Sequence, residues 1–217
     1  MFSLVAHEYA HAATALRQGD DTAYMLGRVT MNPVSHIDPW MTLILPILLL
    51  WVSQGRFTFG GAKPVPITPR KFRHYVRGDL LVSSAGVAAN LGIAICCALA
   101  FTALHYLAVL APGLADLFAI VQRMMMWGVW LNLLLCFFNL IPIPPLDGSH
   151  LLYHALPAGL GARYRQLGRF GYVPLFILLF LGQPVLNFLL TPMRLGMDLF
   201  LRLVAPFGIG EAWRILS

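Results

Sequence analysis

Charge is what this sequence most lacks. Only 11% of its 217 residues are Asp, Glu, Lys or Arg, against about 25% in an ordinary soluble domain. With 59% hydrophobic residues and a mean hydropathy of +0.73, the shortfall excludes a chain solvated mainly by water. Cysteine is almost absent too. Cys96, Cys97 and Cys136 all lie in apolar runs without CxxC spacing, so no disulfide framework is expected and they read as small apolar packing residues. Glutamate occurs only as Glu8 and Glu211. The start carries no charged region followed by a long apolar stretch and a cleavage site, so no cleaved signal peptide is expected. Residues 2–17 read instead as a membrane helix that begins late.

The uncharged runs are long. Leu80–Ala115, Met124–Leu146 and Phe170–Met193 contain no Asp, Glu, Lys or Arg, and each exceeds the roughly 20 residues a helix needs to cross a bilayer core. Pro39–Gly55 is a shorter apolar run. The expectation is an all-α polytopic membrane protein of about 5–6 membrane helices. Short extended segments are expected near 27–31 and 56–59, where polar and apolar residues alternate. Pro64, Pro66 and Pro69 forbid helix in the segment that follows. Residues 1–217 read as one integral-membrane domain with no soluble insertion, a core at about 2–156 and C-terminal membrane helices at about 170–206.

The net charge of +6 does not point to nucleic acid. Lys63, Arg70, Lys71, Arg73 and Arg77 crowd one loop, and Arg163, Arg165 and Arg169 another. Loops that flank membrane runs carry such charge on the cytoplasmic side. Residues 56–79 and 158–169 are therefore expected to be cytoplasmic and the turn at 111–115 outside.

His7-Glu8-Tyr9-Ala10-His11 is an HExxH motif. Positions four apart share a helix face, so the two imidazoles can hold one zinc ion, and Glu8 can take a proton from a water beside it. The motif is short and occurs by chance in soluble proteins, but ionisable residues in an apolar helix are costly and tend to be functional. A zinc site that keeps a position open for water needs a third protein ligand. Asp147 is the best candidate. It follows Asn139-Leu140-Ile141-Pro142-Ile143-Pro144-Pro145-Leu146, where the prolines end a helix, and it precedes Gly148, which permits an unusual φ. Composition alone leaves open a second reading of Asp147 as a helix-end residue at the lipid–water boundary.

HExxH in an apolar helix, followed far downstream by N-x-x-P-x-P-x-L-D-G, resembles the site-2 protease family of intramembrane zinc metalloproteases (peptidase M50). Further matches are Gly19-Asp20 to Asn32-Pro33, Gly61-Ala62-Lys63-Pro64-Val65-Pro66 and Ala85-Gly86-xxx-Asn90. The pattern is that of the small prokaryotic branch without PDZ or CBS domains. Val87 stands where the family often has proline. The resemblance implies one Zn2+ per chain on His7, His11 and Asp147, with Glu8 as general base. It also implies that Asn90 and Asn139 help hold substrate or the developing oxyanion. The implied activity is an endopeptidase cutting in or near transmembrane segments of other proteins, in a prokaryotic cell (inner) membrane. Two other classes compete with it. A non-hydrolytic zinc-binding scaffold or transporter is disfavoured because the ionisable residues gather at one place rather than along a pathway. A different membrane zincin with a downstream Glu ligand has only Glu211 to offer. His36 and Asp38 read as turn residues, His74 as solvated, His105 and His154 as packing or interfacial, and His150 as packing or support near Asp147.

Overall fold

The computed structural model describes residues 1–56 and 58–210, and among these every regular element is helical. Phe57 and Glu211 lie outside the described residues. The helices are α1 (Phe2–Gln18), α2 (Thr22–Met25), α3 (Leu45–Val52), α4 (Tyr75–Leu110), α5 (Ala115–Asn139), α6 (Asp147–Ala155), α7 (Ala158–Arg165), α8 (Val173–Leu181), α9 (Gln183–Leu189) and α10 (Thr191–Val204). The chain divides into two compact units, 1–89 and 90–217; α4 contributes residues 75–89 to the first and 90–110 to the second.

Two helical stretches are long and apolar enough to cross a membrane, Tyr75–Leu110 and Pro112–Asn139. Only 11% of the most apolar part of the first is buried within the protein, and 33% of the second. The core helix of a soluble domain would be mostly buried. Leu99, Leu110 and Ile120 are among the large apolar side chains left exposed on them. The first follows the uncharged run from Leu80, although α4 begins five residues earlier, inside the basic loop; the second carries Asp116 and Arg123 before it enters the uncharged run from Met124.

Among the described residues, the two extended segments expected near 27–31 and 56–59 do not form strands. Residues 26–30 are turns, with the Arg28 backbone N–H returned to Ala23 O at 2.8 Å. Alternation marks a strand only where a neighbouring strand takes up its backbone groups, and here the donors are used locally. Residues 58–68 form no regular element, and their N–H groups pair with side chains and with carbonyls of helical turns rather than with a strand. The run at 170–190 is also not one helix. It breaks at Gly182 between α8 and α9, because Pro184 has no N–H to continue the helix and Gly182 N–H caps α8 on Ile177 O and Leu178 O.

The first unit is held by small contacts. Ala12, Ala23 and Val65 form one buried cluster, and Ala15, Phe72 and Val82 another. Alanine on the buried face of α1 lets the extended segment and α4 come close. Wide helical turns over Pro39–Ile44 lead into α3, none of whose residues is buried. The second unit has a larger core of Ala94, Phe101, Met126, Val129, Leu133, Met193, Met197, Phe200 and Val204, where α5 and α10 pack with the later part of α4. Phe101 meets Phe200 edge to face at 6.1 Å between ring centres. Gln122 is fully buried there and fully bonded. Its Nε2 donates to Phe101 O at 2.9 Å and Phe207 O at 2.8 Å, and its Oε1 accepts from Ile209 N at 2.9 Å.

Candidate metal centre

Helix α1 carries His7 and His11 on its buried face with Ser3, Val5, Ala12 and Ala15; both histidines are 6% exposed. The i, i+4 spacing brings their Nε2 atoms to 2.9 Å of each other, with the rings edge to face. The tautomer of His11 follows from its other nitrogen. Nδ1 lies 2.7 Å from Val82 O, a carbonyl that can only accept, so Nδ1 carries the proton and Nε2 presents a lone pair towards His7. A ring nitrogen held on a backbone carbonyl is the usual support of a metal-ligating histidine.

Glu8 is half-buried on the next position of α1. Its Oε2 accepts the Val65 backbone N–H at 2.8 Å, which fixes where the carboxylate sits. The glycine of the Ala85-Gly86 motif has a physical reason. A Cβ placed on Gly86 would lie 2.5 Å from His11 Nε2 and from His7 Cε1, and 2.6 Å from His7 Nδ1. Helix α4 therefore meets the imidazole pair so closely that no side chain fits between them. The residues suit zinc: two imidazoles converge through Nε2, one is held by a carbonyl behind it, and a carboxylate stands beside them.

Asp147, Asn90 and Asn139 belong to the second unit. Asp147 is the first residue of α6, directly after an extended Leu146. The loop before it is anchored by Tyr164, whose hydroxyl donates to Pro142 O at 2.8 Å. Gly148 does not take the unusual φ expected of it; it lies inside α6 and is not in the left-handed region. Its role is close approach, since a Cβ there would run into the carbonyls of Leu140 and Ile141. Asn90 is fully buried and its Nδ2 donates to Asn132 Oδ1 at 3.0 Å, while Asn132 Nδ2 donates to Gly128 O at 2.8 Å. Asn139, the last residue of α5, donates to Leu135 O at 2.9 Å.

Sequence reading missed the Val65 N–H, the Val82 carbonyl and Asn132. The first two are backbone groups, which any residue type supplies, so nothing in the sequence flags them. Asn132 had a usable signal as an amide in an apolar helix. His36 is fully buried, with Nε2 2.9 Å from Thr30 O, and Asp38 caps the helical turns after it through Trp40 N and Met41 N. His105 and His154 make ring contacts with Tyr106, Phe207 and Tyr153.

A helix bearing HExxH, with convergent imidazoles and a carboxylate pinned on the next helix position, is the arrangement of a zincin-type hydrolase. The chain belongs to peptidase family M50, whose family model matches residues 1–181. It is similar to a Bacillus subtilis (strain 168) protein named "Putative zinc metalloprotease YwhC", at 35% identity over 93% of this chain and 86% of that relative. It is also similar to the Rip2 proteins, each named "Putative zinc metalloprotease Rip2", of Mycolicibacterium smegmatis and Mycobacterium tuberculosis (strain H37Rv). Identities are 31% and 32%, each covering 86% of this chain and 66% of the relative. No solved structure matches the chain.

Proposed function

We propose that this chain is a zinc-dependent endopeptidase that hydrolyses peptide bonds in or near transmembrane segments of other proteins, acting as one multi-pass domain in a prokaryotic cell membrane with its basic loops cytoplasmic. The observation that carries the reading is the pair of buried His7 and His11 Nε2 atoms 2.9 Å apart, with Glu8 pinned beside them by Val65 N–H. Membership of family M50 and the names of the relatives support it. His7 and His11 would hold one zinc ion, with Asp147 as the third ligand.

Bound zinc supplies Lewis-acid polarisation of a carbonyl and makes water a stronger acid. Glu8 accepts the proton of the attacking water and passes it to the departing amine. The Val65 N–H keeps the carboxylate oriented for both transfers. Asn90 and Asn139 are the proposed oxyanion donors; to serve, each amide turns from its present acceptor, Asn132 Oδ1 or Leu135 O. A helical substrate hides its peptide groups, so the segment cut must unwind locally before attack.

The deciding variant is Glu8→Gln, with zinc content and cleavage of a membrane substrate measured on the same preparation. Glutamine keeps the shape and still accepts from Val65 N–H but cannot take a proton. Zinc retained with cleavage lost is the expected result. Cleavage at the wild-type rate would remove Glu8 as the base and the hydrolase reading with it.

A further inference from the structure

Asp20 is 1% exposed and lies outside the HExxH motif. A buried carboxylate is unfavourable unless its oxygens are bonded, and both are. Oδ1 accepts from the Thr22 backbone N–H at 3.0 Å and from Thr22 Oγ1 at 2.5 Å. These are local turn bonds of a kind Asp and Asn make equally. Oδ2 reaches much further along the chain and accepts the Thr68 backbone N–H at 2.6 Å.

Thr68 ends an extended strap, residues 61–68, that lies along α1. Upstream, Lys63 N–H donates to His36 O at 2.8 Å, and Lys63 O accepts from Arg28 Nη2 at 2.9 Å. Downstream, the strap is tied through Thr68 to Asp20. Between the two ties stands Val65, which is buried against Ala12 and Ala23 and whose N–H holds Glu8. Pro64 and Pro66 flank it and stiffen the backbone. A strap fixed at both ends presents its middle N–H at one place, and at the downstream end the Asp20 bond is joined by a contact between the Thr22 and Thr68 hydroxyls at 3.1 Å.

We propose that Asp20 is a positioning residue for Glu8: its bond to Thr68 N–H fixes the strap that presents Val65 N–H to the general base. The inference rests on the metalloprotease reading of Glu8. It gives the buried acid after the glycine cap of α1 a role in turnover as well as in folding.

The test is Asp20→Asn in the full-length protein. Asparagine keeps an oxygen for both Thr22 donors, so the local turn survives. Its amide nitrogen then faces Thr68 N–H, donor against donor, so the bond that holds the strap's backbone is lost and only the Thr22–Thr68 hydroxyl contact remains. Asp21→Asn is the matched control. Asp21 is exposed and paired with Lys71 at 2.6 Å, and that ammonium holds its carboxyl below the usual range through their hydrogen bond. With a transmembrane substrate that the wild type cleaves, kcat, KM and zinc per chain are measured for each variant. Misplacing a reacting group by about 1 Å costs up to roughly a hundredfold. Asp20→Asn is expected to lower kcat by about tenfold or more, with KM and zinc near wild type and Asp21→Asn unchanged. A kcat near wild type overturns the proposal, and so does a loss of zinc in step with activity. If Asp20→Asn does not accumulate, Val65→Pro replaces it. That variant deletes the N–H at the Glu8 end of the same chain of bonds and carries the same expectation and the same refutation. Glu8→Gln in the same assay separates the two levels. Undiminished cleavage by Glu8→Gln overturns the metalloprotease reading, whereas its loss beside a normal Asp20→Asn overturns only the positioning role.

Discussion

Replacing Gly86 with alanine should disable the metal site while leaving every proposed ligand in place. The added methyl would sit 2.5 Å from His11 Nε2 and His7 Cε1, where ordinary contact begins near 3.4 Å, so about 0.9 Å of movement is required. The imidazoles have little freedom to supply it. His11 is bonded to Val82 O, one turn earlier on the same helix that carries Gly86, so backing away from the methyl stretches that bond. His7 is enclosed on the buried face of α1. Overpacking of this kind costs about 1–3 kcal/mol. Disturbing the support of metal ligands usually lowers affinity by about 10–100-fold, or about 1.4–2.7 kcal/mol. The assay is zinc retention by purified protein against chelators of graded strength, with thermal unfolding in detergent to show that the helices remain assembled. Gly86→Ala protein that holds zinc within about twofold of wild type would refute the close-approach argument.

Asp147→Ala should reduce zinc occupancy towards that of a two-histidine site and abolish cleavage, read by metal analysis of the purified protein; full occupancy would remove Asp147 from the ligand set. Gln122→Leu should act on stability alone. It removes the side-chain partner of Phe207 O and of the Ile209 N–H, both part-buried, and the second partner of Phe101 O, which keeps its place in helix α4, at up to about 1–3 kcal/mol for each group left unsatisfied. Thermal unfolding should drop while zinc per folded chain stays constant.

The parts of this molecule legible in its sequence are those set by spacing along one helix. HExxH fixes two imidazoles and a carboxylate through covalent geometry, so α1 could be read directly. Long uncharged runs gave α4 and α5 for a similar reason, since a helix satisfies its backbone internally wherever the solvent is apolar. Elements that depend on a partner were read less well. The alternation at 27–31 looked like a strand, but no neighbouring strand took it up and the chain curled into turns. The run at 170–190 did carry its break signals, Gly182 and Pro184, and they outweighed its hydropathy. Gly148 was correctly singled out for the wrong property, because crowding by Leu140 and Ile141 is a tertiary fact that no local rule contains.

The strap shows how such a partner-dependent element is specified after all. In an extended chain, successive N–H groups point to opposite edges. On one edge the N–H groups of Gly61, Lys63 and Val65 are taken by Met41 O, His36 O and Glu8. On the other edge, positions 64 and 66 are proline and have no N–H to offer, and the Thr68 N–H is taken by Asp20. The same residues that exclude helix thus also remove donors that would invite a second strand, while leaving intact those that face α1 and the loop at 36–41. That pattern ties the segment to side chains and helical turns and leaves its middle without donors on the proline edge for a second strand. It also explains why its bond to Glu8, the proposed general base, is made by a backbone group: Val65 is the only residue between the two prolines, and its N–H is the donor the strap can hold steadily against Glu8.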